Sequence, residues 1–327
     1  MKMQSLSVSR TNLLTNYHDR LGETIDHYVI ERMLGEGAFS VVYEANDVAG
    51  GGKRALKLAK EMDSISECAT EANSTQAMCM ITGGAMRVTP DTYELLDLQA
   101  RKIASVREEG FATIANIHRD EESCYYLMEL IEGGTLRESQ QSNSVWYEQL
   151  VAVARCLARL EGDPAFDFHG DLKPENIMIA GEEVRLIDPG YFGRLANKQG
   201  VRDRLSITTP AYYPYLLPDD LFAFGLILWE MTIGWHPLIH SPSSGSPDQI
   251  EPEQSLLDLV RSQEAAGNYR LSPLARLNRP SDVRDVSPRL EALLLKAIRL
   301  RLTSRRTLET EAGYKSFLEL AEALENV

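Results

Sequence analysis

Apolar and polar positions alternate in short runs over the first third of the chain and recur at helical spacing over the rest. Tyr28-Val29-Ile30, Val41 to Ala45 and Arg54 to Leu58 read as strands. Glycines separate the first two, and Gly50-Gly51-Gly52 supplies a hairpin turn between the second and third. The stretch 61–110 predicts two helices. One runs from about Ser66 to Ile81 and stops at Gly83-Gly84; the other starts at Thr89-Pro90, with Thr as N-cap, and runs to about Glu108. Thr113 to His118 and Cys124 to Leu130 form a strand pair, and Ile131-Glu132-Gly133-Gly134 reads as a hinge. Beyond it the pattern turns helical: Val145 to Leu160, Asp220 to Ile233, Pro288 to Leu302, and a further stretch from Glu311 to Leu324. A proline- and serine-rich surface loop spans about Pro237 to Pro252. Residues 1–24 are polar and patternless, which fits a flexible arm or a short helix packed on the outside.

Composition narrows this picture. A chain of 327 residues with 43% hydrophobic content suits one two-part unit or two ordinary domains. The net charge of −14 argues against nucleic acid or an anionic membrane as partner, because phosphates are repelled. Four scattered cysteines (Cys68, Cys79, Cys124, Cys156) with no metal spacing are expected to be reduced thiols, mostly buried, in a cytoplasmic protein. No apolar run approaches the roughly 20 residues that span a bilayer. Leu221 to Ile233, the longest, is interrupted by Gly225 and Glu230 and reads as a buried core helix. The N-terminus carries no signal-peptide pattern.

The candidate chemistry is concentrated in His169-Gly170-Asp171-Leu172-Lys173-Pro174-Glu175-Asn176, followed twelve residues after Asn176 by Asp188-Pro189-Gly190. An acid that can take a hydroxyl proton, a cation, an amide and a second acid stand in one short span. Phosphoryl transfer from a magnesium nucleotide calls for that set: one acid positions the acceptor hydroxyl, while the amide and the other acid hold metal. Upstream, Gly35-Glu36-Gly37-Ala38-Phe39-Ser40-Val41-Val42 fits G-x-G-x-x-[GS]-x-V, and Ala55-Leu56-Lys57 follows on the next strand.

With these motifs in this order, the sequence resembles the protein kinases, in particular bacterial serine/threonine kinases of the eukaryotic-like type, from about Tyr28 to Leu324. The resemblance implies an α+β, two-lobed fold: a small antiparallel sheet with one helix at about 25–130, carrying an insertion at about 61–88, and a larger helical lobe at about 133–327. It implies ATP and Mg²⁺ as cofactors and a protein with a Ser/Thr hydroxyl as partner. By position, Gly35 and Gly37 face the phosphates, Lys57 pairs the α/β-phosphates with a glutamate on the following helix, and Asp171 accepts the hydroxyl proton. Lys173 neutralises γ-phosphate charge, and Asn176 and Asp188 bind metal. Met128 stands as gatekeeper, the backbone of Glu129 and Ile131 holds the base, and Val42, Ala55 and Met178 sandwich its ring. Glu94 and Glu71 both qualify as the glutamate. Leu98, four residues on, favours Glu94, although 37 residues separate it from Lys57 against 14 for Glu71.

Four departures bear on function. Gly170 replaces the arginine that in regulated relatives clamps a phosphorylated loop, so activity is expected without phosphorylation of Ser206 or Thr208. Pro189 replaces the usual phenylalanine of D-F-G. Tyr215 stands where a glutamate pairs with an arginine matched here by Arg306. Only six residues run from Pro214 to Asp220, a shortened peptide platform. Two other readings stay open: a nucleotide-binding scaffold without transfer, and a small-molecule kinase of the aminoglycoside or choline type, which shares His-Gly-Asp.

Overall fold

Glycine at residue 50 (φ 104°) and residue 52 (φ 76°) turns the chain between two strands of an antiparallel sheet. The computed structural model describes residue 17 and residues 20–60, 78–81, 91–141, 146–196, 202–209, 211–213, 218–234, 236–237, 280–283, 285–302, 308–310 and 312–327. Strands β1 (Thr24–Ile25), β2 (Tyr28–Glu36), β3 (Ser40–Asp47) and β4 (Gly52–Ala59) are followed by β5 (Met78–Ile81) and helix α1 (Thr92–Ser105). Then come β6 (Ile114–Arg119) and β7 (Cys124–Glu129). The main sheet has the order β1-β2-β3-β4-β7-β6. Alternation sorts its side chains: Ile30, Val41, Tyr43, Leu56 and Leu58 close one face with Tyr17, whose carbonyl accepts the Tyr43 hydroxyl at 2.8 Å. Ala55, Tyr126 and Met128 line the other face, where Leu96 and Ala100 of α1 cover them.

The body below the hinge consists of α2 (Leu136–Gln141), α3 (Trp146–Glu161), α4 (Asp220–Ile233), α5 (Pro288–Ala297) and α6 (Phe317–Glu325). Nearly every residue of α4 is buried, as expected of a helix that is apolar on all sides. It is capped by the Asp219 side chain and ends at Gly234 (φ 100°). Leu157 of α3, Phe224 and Leu228 of α4, Leu294 of α5 and Leu320 of α6 meet in one core. Strands β8 (Gly134–Thr135), β9 (Ile177–Ala180) and β10 (Glu183–Leu186) form a small sheet in the order β10-β9-β8. Strands β11 (Tyr191–Ala196) and β12 (Arg202–Thr208) form a hairpin after Asp-Pro-Gly. Among the described residues no helix is long and apolar enough to cross a membrane.

Several elements differ from the sequence expectation. Met78–Ile81, expected to close a helix, is a strand that pairs antiparallel with β12, Ile207 opposite Cys79. A Met-Cys-Met-Ile run is apolar without helical polarity, and the open edge of a hairpin satisfies its backbone. The rest of the expected helix, 66–77, lies outside the described residues. Helix α1 is capped by Asp91, whose carboxylate accepts from Tyr93 and Glu94 N–H at 3.0 Å. It ends before Glu108 because the Asp163 carboxylate takes the N–H groups of Arg107 (2.5 Å) and Glu108 (2.9 Å) out of the helical ladder. Thr89 and Pro90 lie outside the described residues. The helix expected to reach Leu302 stops at Ala297. Arg299 (φ 62°) redirects the chain into strand β13 (Leu300–Leu302), which pairs with β14 (Leu308–Thr310). The loop from residue 238 to 252 lies outside the described residues.

Candidate active site

Asp220, the first residue of α4, organises from below the loop at 169–176, the candidate catalytic loop. Its carboxylate accepts from the N–H groups of His169 (2.5 Å) and Gly170 (2.9 Å). The Tyr213 hydroxyl donates to the same carboxylate at 2.7 Å and accepts from Leu172 N–H at 2.7 Å. Burial pushes the Asp220 carboxyl up, and these donors act against it. His169 is fully buried and neutral, its pKa pushed down to about 3 by desolvation. Its surroundings fix the tautomer: Nε2 donates to the Ile187 carbonyl at 3.0 Å, while Nδ1 accepts from Asp171 N–H at 3.2 Å. The Phe111 ring stacks on it, centroids 5.7 Å apart.

Asp171 is thereby held with its carboxylate in a ring of donors. Thr209 N–H reaches Oδ1 at 2.6 Å; Asn176 Nδ2 lies 3.1 Å and Lys173 Nζ 3.3 Å from Oδ2. Lys173 also donates to the Thr209 hydroxyl at 3.0 Å. The amide nitrogen of Asn176 further contacts the carbonyls of Asp171 (2.9 Å) and Asp188 (3.3 Å), which turns the amide oxygen to other partners.

Lys57 on β4 is buried, 3% exposed, and its Nζ meets Asp188 Oδ1 at 2.6 Å. Burial, the largest single influence, lowers the lysine's pKa; the charge and hydrogen bond of Asp188 together with Tyr126 outweigh it and raise the pKa. For Asp188 the signs are reversed: burial, the largest single influence, raises, and the charge and hydrogen bond of Lys57 together with Lys173 and His169 bring it below the ordinary carboxylate value, so both groups are charged. Asp188 adopts φ 55°, a conformation that a residue before proline rarely takes, so strain is concentrated at this acid. Gly190 is required by space: a Cβ there meets the Gly170 carbonyl oxygen at 2.4 Å and the Ile207 carbonyl oxygen at 2.8 Å.

The expected Lys57–Glu94 pair is not formed in this conformation; Lys57 turns to Asp188 instead. Glu94 lies in the first turn of α1, bonded through its N–H to Asp91 and 9% exposed. Glu71, Tyr215 and Arg306 lie outside the described residues. Val42, Ala55, Met128 and Ile131 pack in one apolar cluster with Ile187. Met178 is half-buried on β9, opposite Thr135 and Arg185, rather than in that cluster. The N–H of Glu129 is taken by the Thr113 carbonyl (2.9 Å) and the carbonyl of Ile131 by Gly133 N–H (3.1 Å). Gly35 belongs to β2, opposite Val42, and a Cβ on it meets nothing within 4 Å. Gly37 N–H closes the turn on the Ser40 carbonyl at 2.8 Å.

Sequence reasoning did not assign three contributors. The Tyr213 hydroxyl bridges two elements, the Phe111 ring backs His169, and Gln99 Nε2 of α1 donates to the Pro189 carbonyl at 2.5 Å. Leu172, His169 and Pro189 are each more than forty residues from the side chain that meets them, and no spacing rule reaches them.

A small sheet with one covering helix, joined through a short hinge to a helical body, with these charged groups at the junction, is the two-lobed protein kinase fold. The kinase domain of Mycobacterium tuberculosis PknI superposes with a TM-score of 0.52 at 15% identity, covering 94% of this chain and 98% of that one. In sequence the chain resembles serine/threonine protein kinases. It is 24% identical over 241 residues to CBL-interacting serine/threonine-protein kinase 16 of Arabidopsis thaliana, covering 65% of this chain and 45% of the relative. It is 29% identical over 160 residues to serine/threonine-protein kinase PknL of Mycobacterium tuberculosis, 45% of this chain and 39% of that one. The chain thus spans less than half the length of these relatives. No family model matches it.

Proposed function

We propose that this protein transfers the γ-phosphate of ATP, with Mg²⁺, to serine or threonine hydroxyls of protein substrates in the cytoplasm. The observation that carries the reading is convergence: Lys57 lies 2.6 Å from Asp188, while Asn176 Nδ2 touches both the Asp171 carboxylate and the Asp188 carbonyl. These groups come from the sheet and from two loops of the helical body, and a structural role alone does not call for their meeting.

The residues present suit a magnesium nucleotide. The Asp188 carboxylate and the Asn176 amide oxygen are hard oxygen donors of the kind that hold Mg²⁺ by one or two protein ligands. When bound, the ion neutralises charge on the transferring phosphate. Gly35 has open space where a side chain would be, so its bareness serves whatever approaches the loop rather than the packing of the fold. Asp171, held by Thr209 and Asn176, is placed to orient an acceptor hydroxyl and take its proton. Lys173, between Asp171 and Thr209, supplies positive charge beside the acceptor. The tie from Thr209 to both residues favours a peptide hydroxyl over a small-molecule acceptor, because Thr209 belongs to a Thr-Pro-Ala-Tyr stretch resembling the segment that faces a peptide substrate in protein kinases, here fastened to the loop at 169–176.

The rival reading is a scaffold that binds nucleotide without transfer. On its side stands the direct Lys57–Asp188 pair, which commits the two groups to each other rather than Lys57 to Glu94. Incubation with labelled ATP and Mg²⁺, with and without generic protein substrates and beside Asp171→Asn, separates the two. Label on protein that Asp171→Asn abolishes supports transfer; nucleotide binding without label supports the scaffold.

A further inference from the structure

Gly170 adopts φ 84°, and a Cβ on it meets the Phe192 ring at 3.0 Å and the Phe168 ring at 3.1 Å. Two aromatic side chains therefore fill the space that a side chain at 170 would claim. Phe168 precedes the catalytic loop, and Phe192 lies on β11, two residues after Gly190. Their rings meet edge to face, centroids 5.4 Å apart at 85°, the arrangement that the ring quadrupoles favour. The free face of Phe168 is covered by Lys102, the basic residue in the last turn of α1, with Nζ 3.7 Å from the ring centroid. Asp167 holds the same ammonium at 3.0 Å. On its far side Phe192 contacts Tyr213, centroids 6.4 Å apart, and the Tyr213 hydroxyl bonds Leu172 N–H and Asp220.

We infer that Lys102, Phe168 and Phe192 form a clamp that contains no phosphate, with Tyr213 as its anchor, and that it fastens the segment after Asp-Pro-Gly and the end of α1 to the loop at 169–176 without phosphorylation. Three elements that must be in register for catalysis (α1, the loop at 169–176 and the hairpin β11–β12) are joined through one stack of side chains. The geometry explains why residue 170 is glycine: a larger side chain and the ring pair exclude each other. The three clamp residues are positioning residues, since they touch the loop rather than substrate. The effect on rate rests on the phosphotransfer reading; the clamp itself does not.

The test compares the full chain with Phe192→Ala, Phe168→Ala, the double variant, Phe192→Tyr and Lys102→Gln by hydrogen–deuterium exchange and by labelled phosphate transfer. With the clamp intact as described, Phe192→Ala raises exchange about tenfold in residues 169–176 as well as in 191–208, while α4 stays protected. The double variant adds nothing to either single one, Phe192→Tyr matches the parent, and Lys102→Gln raises exchange in 169–176 by two- to fivefold. Transfer kcat falls with ATP KM unchanged. Unchanged exchange in 169–176 for Phe192→Ala, or an additive double variant, overturns the clamp. Should Phe192→Ala lose the fold and deprotect α4, Lys102→Gln decides: unaltered exchange in 169–176 refutes the inference. A parent protein that transfers no phosphate yet shows the coupled exchange overturns the phosphotransfer reading alone.

Discussion

Lys57 and Asp188 are 131 residues apart in the chain and 2.6 Å apart in space, the one direct ion pair between strand β4 and the loop after β10 among the described residues. Removing one partner leaves a buried charge uncompensated. Lys57→Met is expected to cost roughly 2–3 kcal/mol of stability, below the usual range for a broken buried pair because the Asp188 side chain is 33% exposed. Replacing both residues, Lys57→Met with Asp188→Asn, which removes both charges and keeps a residue that tolerates positive φ, recovers most of that loss while phosphate transfer stays absent. Chemical denaturation and a labelled-ATP assay read the two effects separately.

Two glycines are expected to answer to different constraints. Gly35→Ala meets open space and leaves the unfolding midpoint within about a degree, while ATP KM rises on the order of tenfold because the loop backbone can no longer approach the phosphates. Gly190→Ala places a methyl against two backbone carbonyls, which cannot move aside as a side chain can. Overpacking of this kind costs about 1–3 kcal/mol or more, so this variant loses stability and transfer together. Equal behaviour of the two variants in thermal unfolding would contradict this.

Asp171→Asn keeps the size of the side chain and the bond to Thr209 N–H but removes the proton acceptor. Transfer is expected to fall by about 10²–10⁴-fold, the usual contribution of a positioned base, with nucleotide affinity unchanged. A loss confined to KM would place Asp171 in binding rather than chemistry.

His169 makes stability depend on pH. Its pKa is about 3 in the folded protein against 6.5 for the ordinary side chain. Between those values the unfolded chain binds the extra proton, so the stability contributed by the neutral ring is complete above pH 6.5 and is lost as pH falls toward 3. Between pH 7 and pH 5 the loss is about 2 kcal/mol. His169→Asn is expected to flatten that slope, which denaturation midpoints at the two pH values will show.

The strands around the glycine turns and helix α4 were legible because alternation, turn chemistry and a run of apolar residues act locally. Asp220–Ile233 was read from the sequence with the same ends that the fold has. Where the reading went astray, long-range partners decided. Met78–Ile81 is a strand because β12 offers an edge, and α1 stops at Ser105 because Asp163, more than fifty residues away, takes the next N–H groups. The groups of the candidate site were legible as a motif, since their chemistry is set by residue type and spacing. The partner of Lys57 was not, because choosing between a helix glutamate and Asp188 depends on how the sheet and the helical body sit against each other.

The ladder between β5 and β12 makes the long connection after β4 a structural member. Trimming residues 61–88 to a short loop removes Met78–Ile81 and leaves Leu205 to Thr208 as a bare strand border, beside the very threonine that holds Asp171. Such a border recruits other chains. A shortened protein should therefore pair with itself through this border and come out of solution more readily than the parent.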